Sequence, residues 1–125
     1  MLDNMKMLGA LAGLMKNKDK IREAGDRIRA KMEATRVIGE AGGGAARATV
    51  SGTMKVIEVQ LTPALVRGMA GDTQTHALAS GLIAEAVNNG LREAQVRLKA
   101  AIDEESKALG LEGVIPDLAK MLGAS

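Results

Sequence analysis

The stretch "VIGEAGGGAARATVSGTMKVIEVQL", residues 37–61, alternates in polarity at every second residue. Ala46, Ala48 and Val50 fall on one side, and Arg47, Thr49 and Ser51 on the other. Ile57, Val59 and Leu61 repeat the pattern against Glu58 and Gln60. A period of two places successive side chains on opposite faces of a strand. Three consecutive glycines, 42–44, and the pair Ser51-Gly52 supply turns. With "TRVIGEA" ahead of the glycines, the reading is three short strands within 36–62, joined as an antiparallel meander. Such a sheet buries one face and leaves the other wet. Pro63 closes the last strand, because proline donates no ladder hydrogen bond.

Toward the N-terminus the period changes. Residues 4–35 read as one long helix. Met7, Leu11, Leu14, Lys18, Ile21, Gly25, Ile28 and Met32 recur at alternating spacings of four and three, a helix-packing seam that Lys18 and Gly25 interrupt. The polar positions repeat as well. Asp19-Lys20-Ile21-Arg22 returns seven residues later as Asp26-Arg27-Ile28-Arg29. Asp19–Arg22, Asp26–Arg29, Glu33–Arg36 and Glu23–Arg27 lie at helical pairing distance, each pair worth a few tenths of a kcal/mol. Lys16, Lys20 and Lys31 are left less compensated, and Lys16 and Lys20 share a face.

Toward the C-terminus, residues 64–75 read as a loop or broken turn. A second long helix covers about 73–109, with its apolar stripe through Leu78, Leu82 or Ile83, Ala86 or Val87, Leu91, Ala94, Leu98, Ala101 or Ile102, and Leu109. "NNG" at 88–90 resembles a turn, but the stripe stays in phase across it, which argues for one helix. Gly110 suits a C-cap. The tail, 110–125, holds a short helix after Pro116 or frays.

The order helix, three-stranded antiparallel sheet, helix defines a single α+β domain over residues 1–125. Helices of thirty residues are about 45 Å long, and six-residue strands only about 20 Å. The helices therefore overhang the sheet, and their free ends are expected to pair as a projecting arm. The 125 residues include no Phe, Tyr or Trp. Aromatic rings ordinarily supply much of the buried area. A core of Leu, Ile, Val, Ala and Met alone predicts that a second subunit contributes stability, as in an obligate homodimer.

The totals exclude several classes. There is no cysteine, hence no disulfide or thiol chemistry. The apolar run from Met7 to Met15 is too short to span a bilayer, so the expectation is a soluble cytoplasmic protein without a membrane partner. The single histidine, His76, has no nucleophile or second base beside it in the sequence. Asp103, Glu104 and Glu105 are consecutive in a helix and splay around it. The glycines of "GEAGGGAAR" lack the Lys-Ser/Thr of a phosphate loop and the spacing of a dinucleotide site. No catalytic, metal or cofactor site is expected, and no small-molecule substrate.

Charge is the remaining signal. Residues 1–60 carry 11 basic and 7 acidic groups, and residues 61–125 carry 6 and 8. Eight of the basic groups lie within residues 16–36. Without aromatic rings, stacking on single-stranded bases is disfavoured. Contact of Lys and Arg with the phosphates of duplex DNA remains, a mode that is largely blind to sequence. The alternative is a dimeric helical-arm scaffold that binds another protein.

"VIGEAGGGAARATVSG", residues 37–52, and "KVIEVQLTPAL", residues 55–65, resemble the YbaB/EbfC family of nucleoid-associated proteins. The matching positions are Val37, Gly39, Glu40, Gly42, Gly43, Gly44, Thr49, Val50, Gly52, Val59, Leu61 and Pro63. "LIAEAVNNGLREAQ", 82–95, is similar to the start of the family's last helix. Ala46 and Ala48 stand where larger aliphatic residues are usual, and Thr62 replaces the usual Asp before Pro63. The resemblance implies a homodimer with projecting helical arms, localised to the nucleoid. It implies binding of double-stranded DNA with little sequence preference, organising the nucleoid or broadly influencing transcription. Carried onto this chain, the DNA-binding candidates are Lys16, Lys18, Lys20 and Arg22, joined by Arg97 and Lys99 if antiparallel pairing sets residues near 97 opposite residues near 20.

Overall fold

A computed structural model describes residues 2–110. The elements are α1 (Leu2–Lys16), α2 (Lys18–Ala34), β1 (Arg36–Ala41), β2 (Ala46–Ser51), β3 (Val56–Leu61), α3 (Pro63–Gly71) and α4 (Thr73–Leu109). They belong to two compact units, Met1–Arg29 with Ala100–Ser125, and Ala30–Lys99. The tail expected to end in a helix or to fray lies outside the described residues.

The second unit holds a three-stranded antiparallel sheet in the order β1-β2-β3. The class is α+β. Gly42, Gly43 and Gly44, at the β1–β2 connection, all have positive φ, of 63°, 66° and 93°. Side-chain-bearing residues rarely adopt that region, and a run of three requires glycine. The inner face of β2 is the alternation read from sequence: Ala46, Ala48 and Val50 are fully buried. Val37 and Ala41 of β1 join them, with Leu61 partly buried beside them.

β3 departs from its simple alternation. Thr49 faces Glu58, but Val50 faces Val56, so Ile57 is an extra residue on β3. This bulge shifts the phase of the strand. Val56, rather than Ile57, takes the place beside Val50, and Val59 and Leu61 keep theirs beside Ala48 and Ala46. Val56, Ile57 and Val59 are all exposed.

α4 crosses "NNG" without a break. Its buried positions are small: Ala79, Ala86, Gly90 and Ala94 in this unit. Gly90 sits against Gly39 of β1 backbone to backbone. A Cβ built on Gly39 would meet the carbonyl oxygen of Ala86 and the amide nitrogen of Gly90, and lie 2.8 Å from the Gly90 Cα. A Cβ built on Gly90 would lie 2.7 Å from a Val50 methyl. Asn89 completes the contact by donating to the Glu40 carbonyl at 2.9 Å. The chain fills its interior without rings by bringing the helix close enough for alanine and glycine to touch. Buried side-chain polar atoms are all hydrogen-bonded among the described residues.

Residues 63–71 form α3, where the sequence suggested a loop. Pro63 occupies the first turn, where its missing N–H costs nothing. Thr62 is the N-cap, its Oγ1 accepting from the Leu65 amide at 3.3 Å. A threonine in place of aspartate at this position retains the capping acceptor. Asp72 then both ends α3 and caps α4. Its Oδ1 accepts from the Gln74 amide at 2.9 Å and its Oδ2 from the Thr75 hydroxyl at 3.2 Å. Replacing Asp72 with alanine should cost about 1 kcal/mol. Chemical denaturation would read this as a lower midpoint at unchanged slope.

The single helix expected over 4–35 is divided at Asn17. Asn17 is a poor helix former whose side chain competes for backbone groups. Its carbonyl accepts from the Ile21 amide at 2.8 Å, the first bond of α2. The packing seam is real in α2, where Ala24 and Met32 are buried and Ile21 and Ile28 half-buried. In α1 the described seam positions, Met7 and Leu11, are exposed. Lys18 and Gly25, the two interruptions, are exposed as well.

Candidate functional site

The basic positions of α2 follow from its buried stripe. Ile21, Ala24, Ile28 and Met32 define the inward side. At 3.6 residues per turn, Asp19, Glu23, Asp26 and Glu33 then fall on the outermost side. They form an acidic ridge rather than partners alternating with the bases. Two basic flanks border it. Lys18, Arg22 and Arg29 lie within about 40° of arc on one flank. Lys20, Arg27 and Lys31 lie within a similar arc on the other.

The two flanks differ in their partners. On the second, Arg27 makes a two-pronged ion pair with Glu105 of α4, at 3.1 Å and 2.9 Å. The hydrogen bond to Glu105 is the main cause of a raised Arg27 pKa, and the Glu23 charge adds to it. On the first flank, Lys18, Arg22 and Arg29 are exposed and enter no ion pair among the described residues. Arg22 and Arg29 do not close onto Asp19 and Asp26. Arg36 likewise bonds the backbone carbonyls of Glu33 and Thr35, at 2.7 Å and 2.9 Å, instead of the Glu33 carboxylate. Sequence spacing allowed those pairs; the side chains take other rotamers at little cost, since such exposed pairs are worth only tenths of a kcal/mol.

The sequence-derived candidates are distributed as follows. Lys16 closes α1, and Lys18, Lys20 and Arg22 open α2, all four exposed. These belong to the first unit. Arg97 and Lys99 belong to the second unit and to α4. Two residues apart on a helix, they do not face the same way. Arg97 pairs with Glu93 at 3.3 Å, whereas Lys99 has no ion pair among the described residues. Within the first unit, Glu105 of α4 lies opposite Arg27 of α2.

Arg29 was missed by spacing alone, which assigned it to Asp26. The signal that finds it is the angle between Arg29 and the buried stripe: it shares a flank with Lys18 and Arg22. From Lys18 to Arg29 the row extends about 16 Å along the helix. A row of unpaired cations at that spacing suits an extended polyanion. The same positions offer nothing for catalysis. Among the described residues no group of His, Asp and Glu could hold a metal ion, and His76 is exposed. No helix among them is long and apolar enough to cross a membrane.

Comparison with known proteins follows the same line. The model of the YbaB/EbfC DNA-binding family matches residues 6–109. A nucleoid-associated protein of Methylococcus capsulatus is 29% identical over 107 residues, covering 86% of this chain and 89% of its own. A nucleoid-associated protein of Pseudomonas fluorescens is 26% identical over 105 residues, covering 84% and 92%. Among solved structures, an uncharacterized protein of Helicobacter pylori superposes with a TM-score of 0.50 at 17% identity, over 66% of this chain and 89% of that one. That likeness is one of fold.

Proposed function

Because the chain belongs to the YbaB/EbfC DNA-binding family, which is not an enzyme family, we propose that it is a nucleoid protein that holds double-stranded DNA through phosphate contacts with little sequence preference. The observation that carries this reading is the row Lys18, Arg22 and Arg29, exposed and, among the described residues, unpaired beside an acidic ridge. Lys16 at the end of α1, Lys20 on the second basic flank of α2, and Arg97 and Lys99 of α4 are further candidates. Side chains on a smooth helix flank reach phosphates; they do not present the bidentate pattern that distinguishes bases. The two nucleoid-associated relatives, each matched over more than four-fifths of both chains, support placement at the nucleoid; on this reading the protein organises the nucleoid or broadly influences transcription.

The active form on this reading is a homodimer. Val56, Ile57 and Val59 on the open edge strand, Val66 on α3 and Leu78 on α4 are exposed apolar residues of one unit. An uncovered apolar edge strand invites pairing with another chain, and a ring-free core gains from the added burial. Two copies double a short row of cations.

The test is a salt series. Binding of labelled duplexes of unrelated sequence is measured by anisotropy from 50 to 300 mM salt. For about four phosphate contacts per dimer, the slope of log K against log salt is expected near −3.6. Equal affinity for unrelated duplexes supports backbone recognition. No binding at micromolar protein in the lowest salt would instead favour a scaffold that holds another protein.

A further inference from the structure

The contact between α4 and β1 rests on two adjacent residues, Asn89 and Gly90. Gly90 is buried, and a Cβ on it would lie 2.7 Å from a Val50 methyl. Asn89 donates its Nδ2 to the Glu40 carbonyl at 2.9 Å. The fold thus uses the glycine for its missing side chain and the asparagine for its amide. In an open chain the same two properties favour a reaction between them. A glycine nitrogen is unhindered and its backbone is free to turn, so it can reach the side-chain carbonyl carbon of the asparagine before it.

We propose that Asn89 is a deamidation site that the folded protein blocks and that, once modified, weakens the closure of α4 onto the sheet. The step is intramolecular. The Gly90 backbone nitrogen loses its proton to solvent and attacks the Asn89 Cγ. A C–N bond forms, the side-chain nitrogen takes up a proton and leaves as ammonia, and a succinimide ring joins the two residues. Water then adds to either ring carbonyl and cleaves one C–N bond, leaving aspartate or isoaspartate at position 89. Three restraints block the attack in the native chain. α4 is unbroken from Thr73 to Leu109, so Asn89 holds a helical ψ of about −42°, which it must leave for the ring to close. The Gly90 amide is bonded along the helix to the Ala86 carbonyl. The Asn89 side chain is held on the neighbouring strand by the Glu40 carbonyl. All three lie in the unit Ala30–Lys99 and are released together when it opens.

The product does not fit the place it came from. A carboxylate at position 89 has no hydrogen to donate to the Glu40 carbonyl and sets two acceptors against each other. It also adds negative charge next to β1, where Glu40 already carries one, paired with Arg47 at 3.0 Å. Isoaspartate does more, because it adds a methylene to the backbone of α4 where Gly90 meets Gly39. Ala86 and Ala94, buried on either side of that point, then cannot both keep their seats on the sheet. Each opening that lasts long enough for the reaction leaves a chain that opens more readily the next time. The inference is independent of the DNA reading.

Full-length protein is aged at mildly alkaline pH in buffer and in concentrated urea, digested with pepsin in acid, and followed at Asn89 by mass spectrometry. Conversion is expected to be at least about a hundredfold faster in urea, because the native chain reacts only through its rare open state. Equal rates in buffer and in urea overturn the proposal. The consequence for stability is read separately. Protein aged in urea until Asn89 is converted, then returned to buffer, should melt at least about 4 °C below fresh protein. Asn89→Gln protein, whose longer side chain closes the ring poorly, should melt after the same treatment where its own fresh sample does. An unchanged melting temperature for the converted protein, or an equal loss in the aged Asn89→Gln protein, overturns the proposal as surely as equal rates do.

Discussion

Alanine at Gly39 is expected to unfold the sheet-bearing unit at temperatures the unsubstituted protein tolerates. The added methyl would occupy the space of the Ala86 carbonyl oxygen and the Gly90 amide nitrogen. Those are backbone atoms on the inner side of α4, and neither can swing aside as a side chain would. The helix must lift from the sheet. Lifting it uncovers Ala46, Ala48 and Val50, which have no accessible surface now, and strains the bond from Asn89 to the Glu40 carbonyl. Overpacking alone costs 1–3 kcal/mol, and loosened contacts along the interface add to it, so about 3 kcal/mol or more is expected. For a chain of this size that corresponds to a melting temperature lower by about 10 °C or more. Gly43→Ala is the control. It too demands an unfavourable backbone, at a φ of 66°, but a Cβ there meets nothing within 4 Å. Its cost is limited to about 1–2 kcal/mol of left-handed strain. Equal losses for the two variants, measured by urea unfolding, would show that the close approach of α4 to β1 is not what holds this unit.

How much of this was legible beforehand differs from element to element. The strand alternation of Ala46, Ala48 and Val50 against Arg47, Thr49 and Ser51 is a local property, and period two reports it directly. The triple glycine is equally local. Gly90 was harder. Read alone, "NNG" is turn chemistry, and only the in-phase stripe on either side keeps the helix intact. Why a glycine belongs there is a tertiary fact, since it depends on Gly39, fifty-one positions earlier in the sequence. The bulge at Ile57 left no trace in the alternation of β3, because Val56 and Ile57 are both apolar and either could face inward. α3 was hidden by its small size and its glycines, although Thr62 before Pro63 is a legible start.

Ion pairs were the least legible feature. Spacing shows which side chains can meet along one helix, not which do. Arg27 had Glu23 within reach and took Glu105, seventy-eight positions away. A paired arrangement with a carboxylate on the neighbouring helix fixes two elements at once, whereas an exposed pair on one helix gains too little to hold its rotamers. The division of the bases into two flanks follows once the buried stripe is known. The heptad repeat in the sequence contained the information, but read as pairs along the helix it pointed to mutual neutralisation. Read around the helix, it separates an acidic ridge from two basic flanks.

That separation sets the expected result of reversing charge on α2. The triple variant Lys18→Glu, Arg22→Glu, Arg29→Glu should weaken duplex binding by more than about a hundredfold at 100 mM salt. The reasoning is counterion release. Each phosphate contact contributes about 0.9 to the slope of log K against log salt, so losing the row from both copies should remove nearly all of the slope of about 3.6 expected for four contacts per dimer. All three side chains are exposed and bear no folding contact, so the melting temperature should stay within a few degrees, unlike that of the Gly39 variant. The loss should be the same on every duplex, because a phosphate contact carries no sequence information. Neutralising the ridge tests the same geometry from the other side. Asp19→Asn with Glu23→Gln and Asp26→Asn removes the repulsion between the ridge carboxylates and the DNA phosphates and should tighten binding several-fold, with the gain shrinking as salt rises. Lys20→Glu, on the opposite flank, and Lys99→Glu, on α4, locate the interface. If either of these single changes costs as much as the triple variant, DNA meets a different face and the Lys18 row is a solvated surface. If the triple variant alone abolishes the salt dependence, the acidic ridge marks one border of the contact, and the duplex lies along the flank that the Arg27–Glu105 pair leaves free.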